Sequence, residues 1–557
     1  MSSRPPRLVV LLAIAALLFA GAAALAACGG ASSGGGDAPS GDEGTPKPGG
    51  TFTFPLPGDP MSIEPLNAQD AAGLQVAHQV FQGLTKWVLD DDGRLITKPD
   101  IAASWESEDA QNWIFHLRPG VTFQAPVSRP VTAQDFVDSW SRVTDPGNQS
   151  YVAYILAPLE GCDDRGYQTD PAQGLTGVTA IDDATLQVTL RYPFADFPAT
   201  LGHPVAAVTP VEYIDEVGEK AFAKRPVGTG PYAVTSWRRG RSVKLVRNAT
   251  YWDTENAGWV DAVELPIFDD VESMWAGFER GDLDCSRVPT DEIAAVEDGP
   301  EVAAGTWTAT AWPAAAVYFV GMNMTDGTLG PDLDLRKAIS QSTDAQTVVD
   351  EVSQGVAQVA GGYVPQGIPG YMAAQNPYTY DLENAANLVT NAGFVPTLDY
   401  WYDADEDHRQ IAETLVAGWE QAGLSVAPSE YEWGTFLDKL SRGNKGSGSQ
   451  LFRVAWIADY PAMDAFLYPL FQSDQSPTGS YTFYANEGVD ELLQKARTTM
   501  DGQQRQNLYA QVEKIILTDM PAVPLYFYRY YRVADGRIRG FTVDPMGLTD
   551  MRSVWVE

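Results

Sequence analysis

From Thr51 to the end of the chain, short alternating stretches and longer stretches of helical period follow one another without an internal repeat. Thr51-Phe52-Thr53-Phe54, the run Asn112 to Arg118 and the run Thr185 to Leu190 alternate apolar and polar positions, the period-two pattern of half-buried strands. Thr132-Ala133-Gln134-Asp135 has capping-box form and opens a helix with Phe136, Trp140 and Val143 on one face. Asp381 begins another, whose stripe holds Leu382, Ala385, Leu388, Val389 and Ala392 and which Gly393 stops. Val489 to Met500 and Gln504 to Thr518 are predicted as amphipathic helices, the second ending near Pro521. Gly228-Thr229-Gly230-Pro231 reads as a rigid turn entering a strand Tyr232 to Val234, and Gly443 to Ser449 as a polar loop. Strands alternating with helices over this length predict an α/β or α+β fold.

The beginning of the chain has a different pattern. Arg4 and Arg7 precede an apolar run from Leu8 to Ala20, which continues small and apolar to Ala27, as in a secretory signal. Leu25-Ala26-Ala27-Cys28-Gly29 resembles the bacterial lipobox, which implies cleavage before Cys28 and lipid attachment to it. Residues 29–50 hold nine Gly, three Ser and three Pro, with only two alanines as apolar side chains. Such a segment cannot bury a core and is expected to be a flexible tether. The reading is a domain held at the extracytoplasmic face of a bacterial membrane.

Charge and composition exclude several functions. The 557 residues carry 37 Lys+Arg against 73 Asp+Glu, a formal net charge of −36. So acidic a surface repels phosphate backbones, so no nucleic-acid partner is expected, and it repels anionic lipid, which leaves the anchor to the lipid at Cys28. Three cysteines are no disulfide framework; Cys162 and Cys285 are expected as free buried thiols. His78, His116, His203 and His408 lie far apart in sequence, so no zinc spacing exists and no metal or cofactor is expected. There is no G-x-S-x-G elbow and no Walker motif, Gly228-x-Gly230 lacks a third glycine, and Asp90-Asp91-Asp92 reads as a solvated turn. The chain is read as a non-enzyme.

Several stretches together resemble one family, the large solute-binding proteins of peptide-type ABC importers. They are Phe81-Gln82-Gly83-Leu84, Ala103-Ser104-Trp105-Glu106 with Trp113 to Arg118, Val131 to Val137, Pro226 to Tyr232, Arg247 to Trp252, Leu335 to Ser340, and Ala392-Gly393-Phe394. The resemblance runs in order over residues 50–557. It implies an α/β, type II periplasmic-binding-protein-like fold: two lobes joined by a hinge, with an extra domain inserted in the N-terminal lobe. On this chain the first lobe is expected at 51–81, 211–315 and 529–557, the insert at 82–210, and the second lobe at 316–528. The implied function is capture of short peptides by a monomer, for delivery to ABC permease transmembrane subunits. Other solutes remain open within the fold (nickel chelates, haem, oligosaccharides), as does an extracytoplasmic hydrolase or chaperone.

The most informative stretch is Leu451 to Pro461. Arg453, Ala455, Ile457 and Asp459 alternate to one side if the run is a strand. The resemblance implies that Asp459 receives the peptide ammonium, that Arg453 helps receive the carboxylate, and that the strand between them pairs with the peptide backbone. It further implies His408 as a carboxylate partner of longer peptides, Trp433 and Trp456 as pocket walls, and Tyr151 and Tyr528 as hydrogen-bond partners of the ligand backbone. An acidic contact of the family falls on Gln69, beside Asp70. A lysine of the family falls near Ser353. A disulfide of the family falls on Ala316 and Ile457 and is absent.

Overall fold

The computed structural model describes residues 45–557 except 374, 444–447 and 477–478. The signal segment, Cys28 and most of the tether lie outside the described residues, as does the centre of the Gly443 to Ser449 loop. Among the described residues no helix is long and apolar enough to cross a membrane.

The pattern-derived elements form with small shifts. Strands run over Thr51–Thr53, Asn112–Leu117 and Thr185–Thr189. The helix Leu382–Ala392 starts on an Asp381 cap and stops at Gly393, whose φ of 76° a side-chain-bearing residue would resist. The last two helices start two residues early, at Glu487 and Gly502. Both shifts come from caps: Asn486 Oδ1 accepts from the Gly488 amide at 3.0 Å, and Asp501 Oδ1 from the Gln504 amide at 2.8 Å.

Three sheets carry the architecture. In the first, Thr51–Thr53, Ala262–Phe268, Ser242–Arg247 and Tyr232–Arg238 lie side by side, covered by the helix Ala71–Val80. In the second, Ala102–Glu106, Asn112–Leu117, Thr185–Thr189 and Val178–Asp182 pair antiparallel beneath the helix Ala133–Thr144, with Trp113, Phe136 and Trp140 in its core. This sheet lies wholly within the expected insert. In the third, the order is Cys285–Ser286, Ala522–Asp535, Trp307–Met322, Leu451–Ile457, Leu398–Asp403 and Val426–Tyr431. Its two faces feed separate cores, one around Phe319, Phe452 and Phe527, the other around Tyr318, Tyr400 and Tyr526. A sheet covered on both faces needs strands that are apolar throughout, and residues 314–322 are all buried.

Two strands of this third sheet are unusually long, Trp307–Met322 with 16 residues and Ala522–Asp535 with 14. They pair antiparallel, and their register breaks between Pro313↔Arg529 and Val317↔Phe527. Three residues on one strand, Ala314 to Ala316, there face Tyr528 on the other, which is a bulge that bends the ladder. The expected crossings between lobes, at 315/316 and 528/529, lie at this bulge.

The Gly228-Thr229-Gly230-Pro231 turn packs against the end of the helix Ala71–Val80, and Gly230 donates its amide to the Val80 carbonyl at 2.8 Å. A Cβ at Gly228 would lie 2.1 Å from the Val80 oxygen, inside backbone that cannot move aside. Gly228→Ala is therefore expected to cost about 1–3 kcal/mol of stability. Urea unfolding of the two proteins measures it, and an unchanged midpoint refutes the close-approach account.

Candidate functional site

The strand Leu451–Ile457 is anchored at its start and free at its end. It pairs along its whole length with Trp307–Met322, from Met322↔Leu451 to Ala316↔Ile457. On its other side it meets Leu398–Asp403 only at Tyr400↔Leu451 and Trp401↔Phe452. From Arg453 onward that edge has no strand partner among the described residues. Exposure climbs along it, from 5% at Arg453 to 67% at Ile457, with Ala455 and Trp456 half-buried between. An unpaired edge of this kind presents N–H and C=O groups that an extended chain can pair with.

At the fork where the two strands part, Arg453 Nε donates to Asp403 Oδ1. His408, in the first turn of the helix Glu406–Gln421, brings Nδ1 to 3.2 Å from the same oxygen, at an angle that makes it a polar contact rather than a hydrogen bond. Burial acts to raise the Asp403 carboxyl, and neighbouring His408 and Arg453 outweigh it, holding the group below the ordinary carboxylate range. The guanidinium carbon of Arg453 lies 5.6 Å from the ring centres of both Tyr318 and Trp433. Tyr318 stacks on Tyr526 at 5.0 Å, and Tyr528 lies 6.5 Å away. Sequence reading placed Arg453, His408, Trp433 and Tyr528 here and missed Asp403. Nothing in the pattern marks a partner 50 positions away on a parallel strand.

The other end corrects one expectation. The strand stops at Ile457, so Asp459 lies two residues beyond the alternation that was extended to it. Its position is set instead by Tyr154, whose hydroxyl donates to Asp459 Oδ1 at 2.9 Å. Tyr151, the tyrosine named from the resemblance, is 70% exposed, and Tyr154 three residues on is the one bonded to Asp459. Burial pushes the Asp459 carboxyl above 3.8, only partly offset by the Tyr154 hydrogen bond, and no cation contributes.

The remaining candidates divide. Trp433 is 54% exposed beside Arg453, whereas Trp456 turns to the opposite core and donates Nε1 to the Ala465 carbonyl at 2.7 Å. Asp70 is a helix cap rather than a free carboxylate: Oδ1 accepts from the Gly73 amide at 2.9 Å and Oδ2 from the Met61 amide at 3.0 Å. Gln69 is exposed, with its amide against Met61. Ser353 donates to the Val349 carbonyl, and Ala316 and Ile457 are register partners with no bridge. Cys162 and Cys285 are free and buried. The described residues hold no cluster of three or more His, Cys, Asp or Glu able to bind a metal.

A family model for bacterial extracellular solute-binding proteins, family 5, matches residues 97–478. The chain belongs to this family. This solute-binding protein is 28% identical over 540 residues to the oligopeptide-binding protein OppA of Bacillus subtilis, covering 91% of this chain and 92% of that one. It is 24% identical over 529 residues to the heme-binding protein A of Haemophilus influenzae, covering 91% and 92%. Among solved structures, the unliganded open form of the murein tripeptide binding protein MppA superposes with a TM-score of 0.80 at 24% identity, over 93% of this chain and 99% of that one. The ABC transporter-associated binding protein DppA of Helicobacter pylori, in complex with the peptide STSA, gives 0.70 at 23%, over 92% and 99%. The fold is thus the two-lobed type II periplasmic-binding-protein fold.

The raised Asp459 carboxyl makes a prediction about the empty protein. A carboxyl raised by folding is disfavoured when ionised, so its contribution to stability is lost as pH climbs from 3.8 through the raised value. Ligand-free Asp459→Asn is expected to melt above the wild type at neutral pH, the gap closing as pH falls toward 3.8. Thermal melts across that range check it; a variant no more stable at neutral pH contradicts the desolvated-carboxylate reading.

Proposed function

We propose that this protein is a lipid-anchored, extracytoplasmic receptor that captures short peptides between its lobes as a monomer and delivers them to the transmembrane subunits of an ABC importer. The observation that carries the reading is the setting of Asp459, a half-buried carboxylate beyond the open strand edge whose hydrogen-bond partner among the described residues is the Tyr154 hydroxyl. The buried carboxylates Asp464 and Asp196 have cations, Arg497 and Arg505, and buried Glu513 has the amides of Tyr363 and Val364. Asp459 has one tyrosine hydroxyl. A desolvated carboxylate without a cation is costly unless the cation arrives with a ligand, and a peptide ammonium is such a cation.

The open edge from Arg453 to Ile457 supports main-chain pairing with an extended ligand. Main-chain bonds and terminal charges give affinity without reading side chains, which suits a receptor for many peptides. Arg453 is held by Asp403 through Nε, leaving the outer guanidinium nitrogens for a carboxylate. Trp433, Ala455, Ile457, His408 and Tyr528 border that path. Tyr154 takes the place first given to Tyr151. Gln69 and Asp70 are left without a ligand role. No catalytic group is assigned, and the protein is read as a binder rather than an enzyme.

Truncating one partner of a desolvated charge pair costs on the order of 2–5 kcal/mol. Asp459→Asn should weaken a tri- to pentapeptide by about 30-fold or more, at roughly 1.4 kcal/mol per tenfold. The N-acetylated peptide should bind the wild type poorly and lose little more in the variant. Calorimetry on the four combinations reads the coupling. Equal binding of free and acetylated peptides sinks the ammonium assignment, and no binding of any peptide of two to eight residues sinks the ligand class in favour of haem, nickel chelates or sugars.

The anchor has its own test. Cys28→Ser should release the protein from the membrane fraction of a producing bacterium and leave peptide affinity unchanged. A Cys28→Ser protein that still pellets with membranes refutes lipid attachment.

A further inference from the structure

The first-lobe end of the strand Ala522–Asp535 carries cations that the site above does not use. The strand Cys285–Ser286 pairs with it at Cys285↔Ala534 and Ser286↔Val533. Continuing that register by one rung sets Arg287 opposite Arg532. Cys285 and Ala534 are sealed against the first-lobe core, and at the next rung the face opens, with Arg287 exposed and Arg532 half-buried. Strand alternation puts Arg532 on the same face as Tyr530, Tyr528 and Tyr526, the last two beside Tyr318 and Arg453. At about 3.3 Å per residue, Arg532 lies ~13 Å along the strand from Tyr528, about four residues of extended chain.

Like charges directly opposite one another destabilise a sheet. Among the described residues neither arginine forms an ion pair with a carboxylate. Arg287, Cys285 and Tyr530 act on the Arg532 guanidinium, and Tyr530 acts on that of Arg287. Burial and the facing Arg287 push Arg532 down to about 10. Its Nη1 donates to the Tyr531 carbonyl at 2.9 Å, and its guanidinium carbon lies 5.7 Å from the Tyr530 ring centre. Asp544, which also neighbours Tyr530, is held by backbone: Oδ1 accepts from the Leu548 amide at 2.9 Å, and burial pushes its carboxyl up to about 7. In a chain with 73 acids and 37 bases, Arg287 and Arg532 form no ion pair with an acid among the described residues and keep guanidinium donors beyond the one Arg532 gives to Tyr531.

We propose that Arg287 and Arg532 form a subsite for an acidic side chain of the bound peptide, so that this receptor prefers Glu- or Asp-containing peptides. The proposal rests on the peptide reading and adds a side-chain preference to it.

Calorimetry with tetrapeptides carrying Glu or isosteric Gln at each position in turn tests it. At one position Glu should bind about tenfold or more tighter than Gln, the scale of a charge-assisted hydrogen bond. Arg287→Gln and Arg532→Gln should each remove most of that preference and leave the all-Gln peptide unchanged. Circular dichroism checks that the variants fold, and Arg287, being exposed, serves if Arg532→Gln does not. Equal binding of Glu and Gln peptides at every position overturns the proposal, as does a preference that survives both substitutions. If no peptide binds at all, the peptide reading has failed, and glutarate and inorganic phosphate decide the subsite separately. Glutarate raising the melting temperature of the wild type but not of the double variant retains it. Glutarate without effect, or stabilisation by phosphate alone, overturns it.

Discussion

The antiparallel pairing of Trp307–Met322 with Ala522–Asp535 is the constraint on which the rest of the structure depends. These strands run from the region expected as the first lobe into the region expected as the second, and the ladder that joins them carries a bulge at Ala314 to Ala316 opposite Tyr528. A continuous ladder would lock the lobes into one sheet, and the bulge bends it where the crossings fall. On one side the pair receives Cys285–Ser286, which brings in Arg287; on the other it receives Leu451–Ile457, which brings in Arg453. Every charged group assigned to the ligand is placed relative to this ladder.

Charge compensation then separates framework from site. Arg142 with Glu64 and Glu219, Arg552 with Asp550, and Arg497 with Asp464 are buried or half-buried pairs that satisfy themselves within the fold. Arg453 is compensated by Asp403, a partner that orients it. Asp459, Arg287 and Arg532 form no ion pair among the described residues, and a ligand charge would supply what the fold does not. An acidic molecule of net charge −36 makes the two arginines the more distinctive, since most of its surface offers carboxylates.

The strand edge and the charges work on different properties of a ligand. The edge from Arg453 to Ile457 can pair with any extended backbone, because its hydrogen bonds ignore side chains. In the proposed reading Asp459 and Arg453 take the termini, and Arg287 and Arg532 add a single side-chain preference. That reading separates breadth from selectivity in space, with breadth on the strand Leu451–Ile457 and selectivity near the core around Phe52 and Cys285.

The sequence by itself determined the elements and named much of the candidate site. The period-two runs, the Asp381 cap and the Gly393 stop are local signals, and they settle local structure because capping and alternation act within a few residues. Arg453 and Asp459 were legible because they share a short run with a family pattern. Asp403, Tyr154 and the Arg287–Arg532 rung were not. Each of these depends on a partner 50 to several hundred positions away, joined by a parallel pairing, an inserted domain or a two-residue strand that leaves no periodic trace. The same reason explains Asp70, a legible acid whose two oxygens only the tertiary structure commits to the amides of Gly73 and Met61. Periodicity along the chain tells which way a side chain faces; only the packed sheet decides what it meets there.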